Sequence, residues 1–236
     1  MMIPVVSLLL ACVMVLACAT RRVERVSRGL PAECGASMLY VALGDSTVEG
    51  VAATSRRHNY VSRIHQRLRE VYPAARVENL GVSGAVSADV VRKQLSKAVR
   101  LQPHLVTLSV GPNDITGGIP VEQYEKNVDR ILRRLTQESG ALVVVNLLPD
   151  LAVTPRFAHA DEREIVGRLS VRFNEVLERK ARQYSVELVD LYERSREEVP
   201  RRPELVASDG YHPSDLGYAR WAELMWTRVE AHVPRC

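Results

Sequence analysis

From Met38 onward the chain repeats one pattern: a short run rich in β-branched residues and leucine, followed by a longer stretch in which apolar residues recur at helical spacing. The short runs are residues 38–43, 76–80, 105–110, 141–147 and 186–191, and the helical stretches lie at about 60–71, 88–101, 121–138, 162–184 and 214–232. Strands that alternate with helices are the signature of successive βα units on a parallel sheet. The expected fold class is therefore α/β, with five parallel strands and helices on both faces. Such an open sheet places its functional loops at the carboxyl ends of its strands, so the residues to read most closely are those that follow each short run.

At 236 residues, 46% of them apolar, the chain has enough material for one sizeable core and no length for a second full domain. The net charge of +4 comes from arginines interspersed with acids, as in residues 130–134 and 194–198, which reads as solvated helix faces. A nucleic-acid partner would require a basic stripe with stacking aromatics, and aromatics make up 5% of the chain, so no nucleic-acid binding is expected. The chain is expected to act as a monomer.

Residues 3–19 form an apolar run of the length of a signal-peptide core, ending in small residues. Residues 1–19 are accordingly read as a signal peptide or lipoprotein signal, residues 20–37 as a linker rich in arginine, and residues 38–236 as the domain. Ala17-Cys18-Ala19 fits a cleavage site, whereas Val15-Leu16-Ala17-Cys18 fits the lipobox of a lipoprotein, which would tether the protein to a membrane through Cys18. Arg21, Arg22 and Arg25 follow the apolar run and oppose translocation, but the run is short for a spanning helix. The expected location is exported: periplasmic, secreted or lipid-anchored. Either cleavage leaves Cys34 and Cys236, an even pair, to form a disulfide or remain as two free thiols.

Four short motifs follow the strands. The first run leads into Gly44-Asp45-Ser46-Thr47, a turn that would lift the Ser46 hydroxyl out at the edge of the sheet. A serine hydroxyl needs an adjacent base to act as a nucleophile, and Asp209 and His212, three residues apart in Ser208-Asp209-Gly210-Tyr211-His212, can supply an oriented imidazole. After the second run, Gly81-Val82-Ser83-Gly84 can present the Gly84 amide, and after the third, Gly111-Pro112-Asn113-Asp114 can present the Asn113 side chain, both as donors to an oxyanion. Each motif alone is equally an ordinary turn or helix cap; the conjunction of all four in this order carries the reading.

On these four motifs the sequence resembles the SGNH hydrolases, also called GDSL esterases and lipases, over roughly residues 38–232. The resemblance implies a three-layer α/β/α sandwich with flavodoxin-like strand order 2-1-3-4-5. It implies Ser46 as nucleophile, Asp209 and His212 as its partners, and an oxyanion hole formed by the Ser46 amide, the Gly84 amide and the Asn113 side chain. Thr47 stands where the family's common name has leucine, a departure that bears on substrate choice and not on the triad.

The expected partner is a small-molecule or glycan ester. The loop at 149–161 contributes Leu151, Val153 and Phe157 as candidate walls of an acyl pocket, with Thr47 at its mouth. The expected reaction is hydrolysis of short or medium acyl esters, lipid-like or on a carbohydrate. Its alternatives are transfer of the acyl group to a glycan or peptidoglycan hydroxyl, and a non-catalytic surface module. His58, His65, His104, His159 and His232 lack metal-ligand spacing and no phosphate-cradling loop is present, so neither metal nor cofactor is expected.

Overall fold

A computed structural model describes residues 29–236. The expected leader, with Cys12 and Cys18, and residues 20–28 of the expected linker lie outside the described residues. Five strands, β1 (Leu39–Gly44), β2 (Arg76–Asn79), β3 (Leu105–Ser109), β4 (Leu142–Asn146) and β5 (Glu187–Val189), form one parallel sheet in the order β2-β1-β3-β4-β5. The helices are α1 (Ser46–Glu49), α2 (Tyr60–Val71), α3 (Ser87–Asp89), α4 (Leu95–Arg100), α5 (Pro112–Thr116), α6 (Val121–Arg134), α7 (Ala160–Tyr184), α8 (Leu191–Glu198) and α9 (Asp215–Glu230). A π turn, Val90–Gln94, joins α3 to α4, so the helix expected at 88–101 is present but underwound in its middle.

Alternation along the central strands generates the three layers. Val41 and Leu43 of β1, Val106 and Leu108 of β3, and Val143 and Val145 of β4 face one core with α4, α6 and α7. Tyr40, Ala42, Leu105 and Val144 face the other, with α2 and α9. Because residues 40–43 are buried on both sides, β1 reads as a continuous apolar run, as a covered parallel strand must. Each buried Val or Leu among them contributes about 1.5–3 kcal/mol by leaving water.

The sequence reading missed α1, α5 and α8. The first two are single turns, and α8 buries Leu191 alone, so none of them shows an apolar period. Residues 29–37, placed in a linker by composition, are docked on the body. The Gly35 amide donates to Val71 O (2.9 Å), the Tyr72 hydroxyl donates to Pro31 O (2.7 Å), and Leu30 and Ala36 pack on the α2–α9 core. Cys34 is disulfide-bonded to Cys236, joining positions 202 residues apart. Loop closure of that length stabilises by up to about 5 kcal/mol in a chain-entropy treatment.

Candidate active site

β1 ends at Gly44, where φ is +147° and the neighbouring strand passes so close that no side chain fits. Its amide donates to Gln94 Oε1 and its carbonyl accepts from Gln94 Nε2, both at 2.8 Å. The π turn thus delivers a buried amide to the strand end that carries the nucleophile, a placement no sequence pattern signals. Asp45 then caps α1: its Oδ1 accepts from the amide and the hydroxyl of Thr47 (2.9 and 2.8 Å). Ser46 is the first residue of that turn and is 5% exposed. Its own N–H meets no acceptor among the described residues.

The imidazole arrives from a loop after α8. Gly210, at φ +71°, lets residues 206–213 fold back on themselves, with a bridge between Val206 and Pro213 and the Ala207 amide donating to His212 O. Asp209 Oδ1 accepts from the amides of Tyr211 and His212 (2.9 and 3.0 Å), and Asp209 Oδ2 lies 2.6 Å from His212 Nδ1. Partial burial pushes the Asp209 carboxyl up, but the hydrogen bonds from the His212 ring and the two amides outweigh it and hold the group below the usual carboxylate range. An ionised carboxylate can only accept, so Nδ1 carries the proton and Nε2 offers its lone pair. Nε2 stands 2.9 Å from Ser46 Oγ, across 166 residues of chain.

The other two motifs are fastened to this edge. The Asn79 side chain donates to Val48 O (2.6 Å), Glu49 accepts from the Ser83 amide (2.6 Å), and the Val82 amide donates to Gly44 O (3.2 Å). Gly81 packs so tightly on α1 that a Cβ would sit 2.5 Å from Glu49 N. Gly84 has φ +75° with open space around it, and its amide has no acceptor among the described residues. Asn113 Nδ2 donates to Ala85 O (3.0 Å), which ties the third motif to the second and leaves one of its two N–H bonds uncommitted. Asp114, fully buried, accepts from the Ser87 amide (2.8 Å) and hydroxyl (2.5 Å), and Ser87 Oγ accepts in turn from Asn127 (2.9 Å). Asp114 had been visible only as a turn residue; it locks the two donor loops together.

Beside Ser46 and His212 opens a cavity of about 120 Å³, lined on one side by Leu151 and Val153 and on the other by α8 and α9. Thr47 also lines it, though its hydroxyl is turned inward to Asp45. Phe157 corrects the sequence reading. It does not line the cavity; its buried ring packs edge-on against Tyr211 (6.0 Å), which does, and so supports the histidine loop from behind. Gly84 and Asn113 lie outside the cavity lining as well, on the side of the 82–85 turn.

Asp45 has a measurable signature. Burial pushes its carboxyl up to about 6, against the two hydrogen bonds from Thr47 that lower it, and its Oδ2 meets no partner among the described residues. A carboxyl that ionises at about 6 in the fold and near 3.8 when unfolded binds its proton more tightly in the native state. Its contribution therefore turns against the fold as pH rises through that window. Between pH 4 and pH 7 the wild type is expected to lose about 2 kcal/mol relative to Asp45→Asn. Urea midpoints of both proteins at the two pH values check this; parallel curves would show that Asp45 does not titrate as a buried acid.

A parallel sheet of this order, with hydroxyl, imidazole and carboxylate in one hydrogen-bonded chain at its carboxyl edge, is the framework of an ester hydrolase. The chain belongs to the GDSL-like Lipase/Acylhydrolase family, whose pattern it matches over residues 42–220, a span that takes in all four motifs. It is accordingly a hydrolase acting on ester bonds. No curated protein matches the chain. Among solved structures it is similar to the acetyl xylan esterase AlAXEase (16% identity, 80% of this chain and 98% of that one, TM-score 0.66). It is also similar to Axe2, an acetylxylan esterase from Geobacillus stearothermophilus (19%, 86% and 98%, 0.67), and to TesA (23%, 83% and 99%, 0.63). At these identities the likeness is one of fold.

Proposed function

We propose that the protein cleaves carboxylic esters of short or medium acyl chains, on a lipid-like or carbohydrate alcohol, through an acyl-enzyme on Ser46. The observation that carries this reading is the unbroken chain Ser46 Oγ–His212 Nε2 at 2.9 Å and His212 Nδ1–Asp209 Oδ2 at 2.6 Å. As Ser46 Oγ bonds to the ester carbonyl carbon, its proton passes to Nε2, and Asp209 steadies the imidazolium. The carbonyl electron pair moves onto oxygen, facing the uncommitted N–H groups of Ser46, Gly84 and Asn113. Collapse of the tetrahedral adduct expels the alcohol, which takes the proton from Nε2. Water then repeats the sequence on the acyl-enzyme, losing its proton to Nε2, and Ser46 recovers a proton as the acid leaves.

Covalent labelling by a fluorophosphonate probe, lost in Ser46→Ala and in His212→Ala, tests the nucleophile directly; equal labelling of wild type and Ser46→Ala would overturn it. Asn113→Ala is expected to lower kcat by about 10²–10³ with little change in KM, the cost of one oxyanion donor. Steady-state kinetics on a nitrophenyl ester measures the split. Export is part of the same proposal: the Cys34–Cys236 disulfide supports an oxidising compartment.

A further inference from the structure

The cavity beside Ser46 is larger and drier than an acetyl group requires. It follows α9 along one stripe, Gly217, Trp221 and Leu224, and α8 with the residue that caps it along another, Leu191 to Val199. Seven or eight residues of helix advance about 11 Å, so the groove runs two helical turns away from the reacting atoms. Its walls are mainly apolar. Trp221 is held from behind by Tyr60, which stacks on it at 5.4 Å with rings 13° from parallel and does not itself line the groove. The indole is therefore a fixed wall.

Two arginines, Arg194 and Arg220, flank the groove, and each is already paired with acids. Arg220 grips Glu198 through Nε (3.1 Å to Oε1, 3.0 Å to Oε2) and Nη2 (2.7 Å to Oε1), with its Nη1 on Glu223 (3.1 Å). Arg194 is engaged with Glu197 at 3.2 Å. Neither guanidinium stands uncommitted to receive a second carboxylate, so an acyl chain ending in an acid would have to break an existing pair. A neutral, unbranched chain leaves them intact.

We propose, on the hydrolase reading above, that this groove is the acyl-chain pocket, that it selects a linear uncharged acyl group of medium length, about eight carbons for a groove two helical turns long, and that Leu224 with Val199 sets its length. The acetyl group in the names of two of the similar structures would leave most of the groove unfilled.

The test is kcat/KM on nitrophenyl esters from acetate to palmitate, for wild type, Leu224→Trp and Leu224→Ala. Each methylene buried is expected to raise kcat/KM by up to about fourfold, the equivalent of about 0.8 kcal/mol per CH₂, until the groove is full. Wild type is then expected to peak near octanoate, at least 30-fold above acetate (by about 2 kcal/mol). The optimum should move to shorter chains in Leu224→Trp and to longer ones in Leu224→Ala. Opposite shifts cannot come from misfolding, which would lower every ester alike. A wild-type profile that is flat or falls from acetate, or variants that scale all chain lengths equally, would overturn the pocket while leaving Ser46-dependent acetate cleavage, and hence the hydrolase reading, intact. Absence of Ser46-dependent cleavage of every ester would overturn both.

Discussion

Ser46→Ala is expected to lower kcat for ester hydrolysis by roughly 10⁶-fold, with the fold and KM close to wild type. The hydroxyl is the atom that bonds to the carbonyl carbon, and the adjacent Thr47 hydroxyl cannot stand in for it, being committed to Asp45. His212→Ala should cost a comparable amount, because an unassisted serine hydroxyl is a weak nucleophile. The double variant should be little worse than either single one, since the two groups act as a unit. Asp209→Asn is expected to fall by about 10⁴, since an amide in place of Oδ2 turns its N–H toward Nδ1 and favours the wrong imidazole tautomer. Single-turnover kinetics on an activated ester checks all four. A double variant that multiplied the two single losses would mean that serine and histidine act in separate steps.

Gly44→Ala is expected to destabilise the whole protein by more than about 4 kcal/mol, beyond the usual range of point substitutions. A Cβ at this position would lie 1.9 Å from Ser109 O and 2.6 Å from Val48 Cγ2, and the φ of +147° is itself one that side chains avoid. Ser109 O belongs to the backbone of β3, paired in register with Gly44, so it can withdraw only if the two central strands part at the end that carries Ser46. A melting temperature lower by 10 °C or more would accord with this, at about 2–4 °C per kcal/mol for a domain of this size. Gly84→Ala is the control. Gly84 shares a positive φ but has open space around it, so its cost should stay near 1–2 kcal/mol. Equal melting temperatures for the two variants would remove the steric explanation.

The two glycines show where sequence reasoning reaches and where it stops. Both were visible as members of motifs, but one is held by a backbone oxygen from a strand 65 positions downstream and the other by its dihedral angle alone. Gln94, Ser87 and Asp114 carry no local signal at all: an amide on a helix, a serine at a helix start and an aspartate in a turn acquire their roles only from what faces them across the sheet edge. Residues 29–37 illustrate the converse error, since glycine and proline look like a linker until a disulfide and a tyrosine hydroxyl hold them to the body. Phe157 was apolar and rightly placed near the site, yet it faces Tyr211 and not the cavity.

The sequence by itself determined the central strands β1, β3 and β4, because strands buried on both faces must be continuously apolar, and the longer helices, which must show one apolar stripe. It also determined which residues could carry acyl chemistry, because hydroxyl, imidazole, carboxylate and amide donors follow the strands in a fixed order. Only the tertiary structure decided that Nε2 faces Ser46 Oγ, how wide and how apolar the adjoining groove is, and which side chains line it. Those are distances between elements far apart along the chain, set by how α8, α9 and the 150–154 turn pack against one another, and no local pattern of residues encodes them.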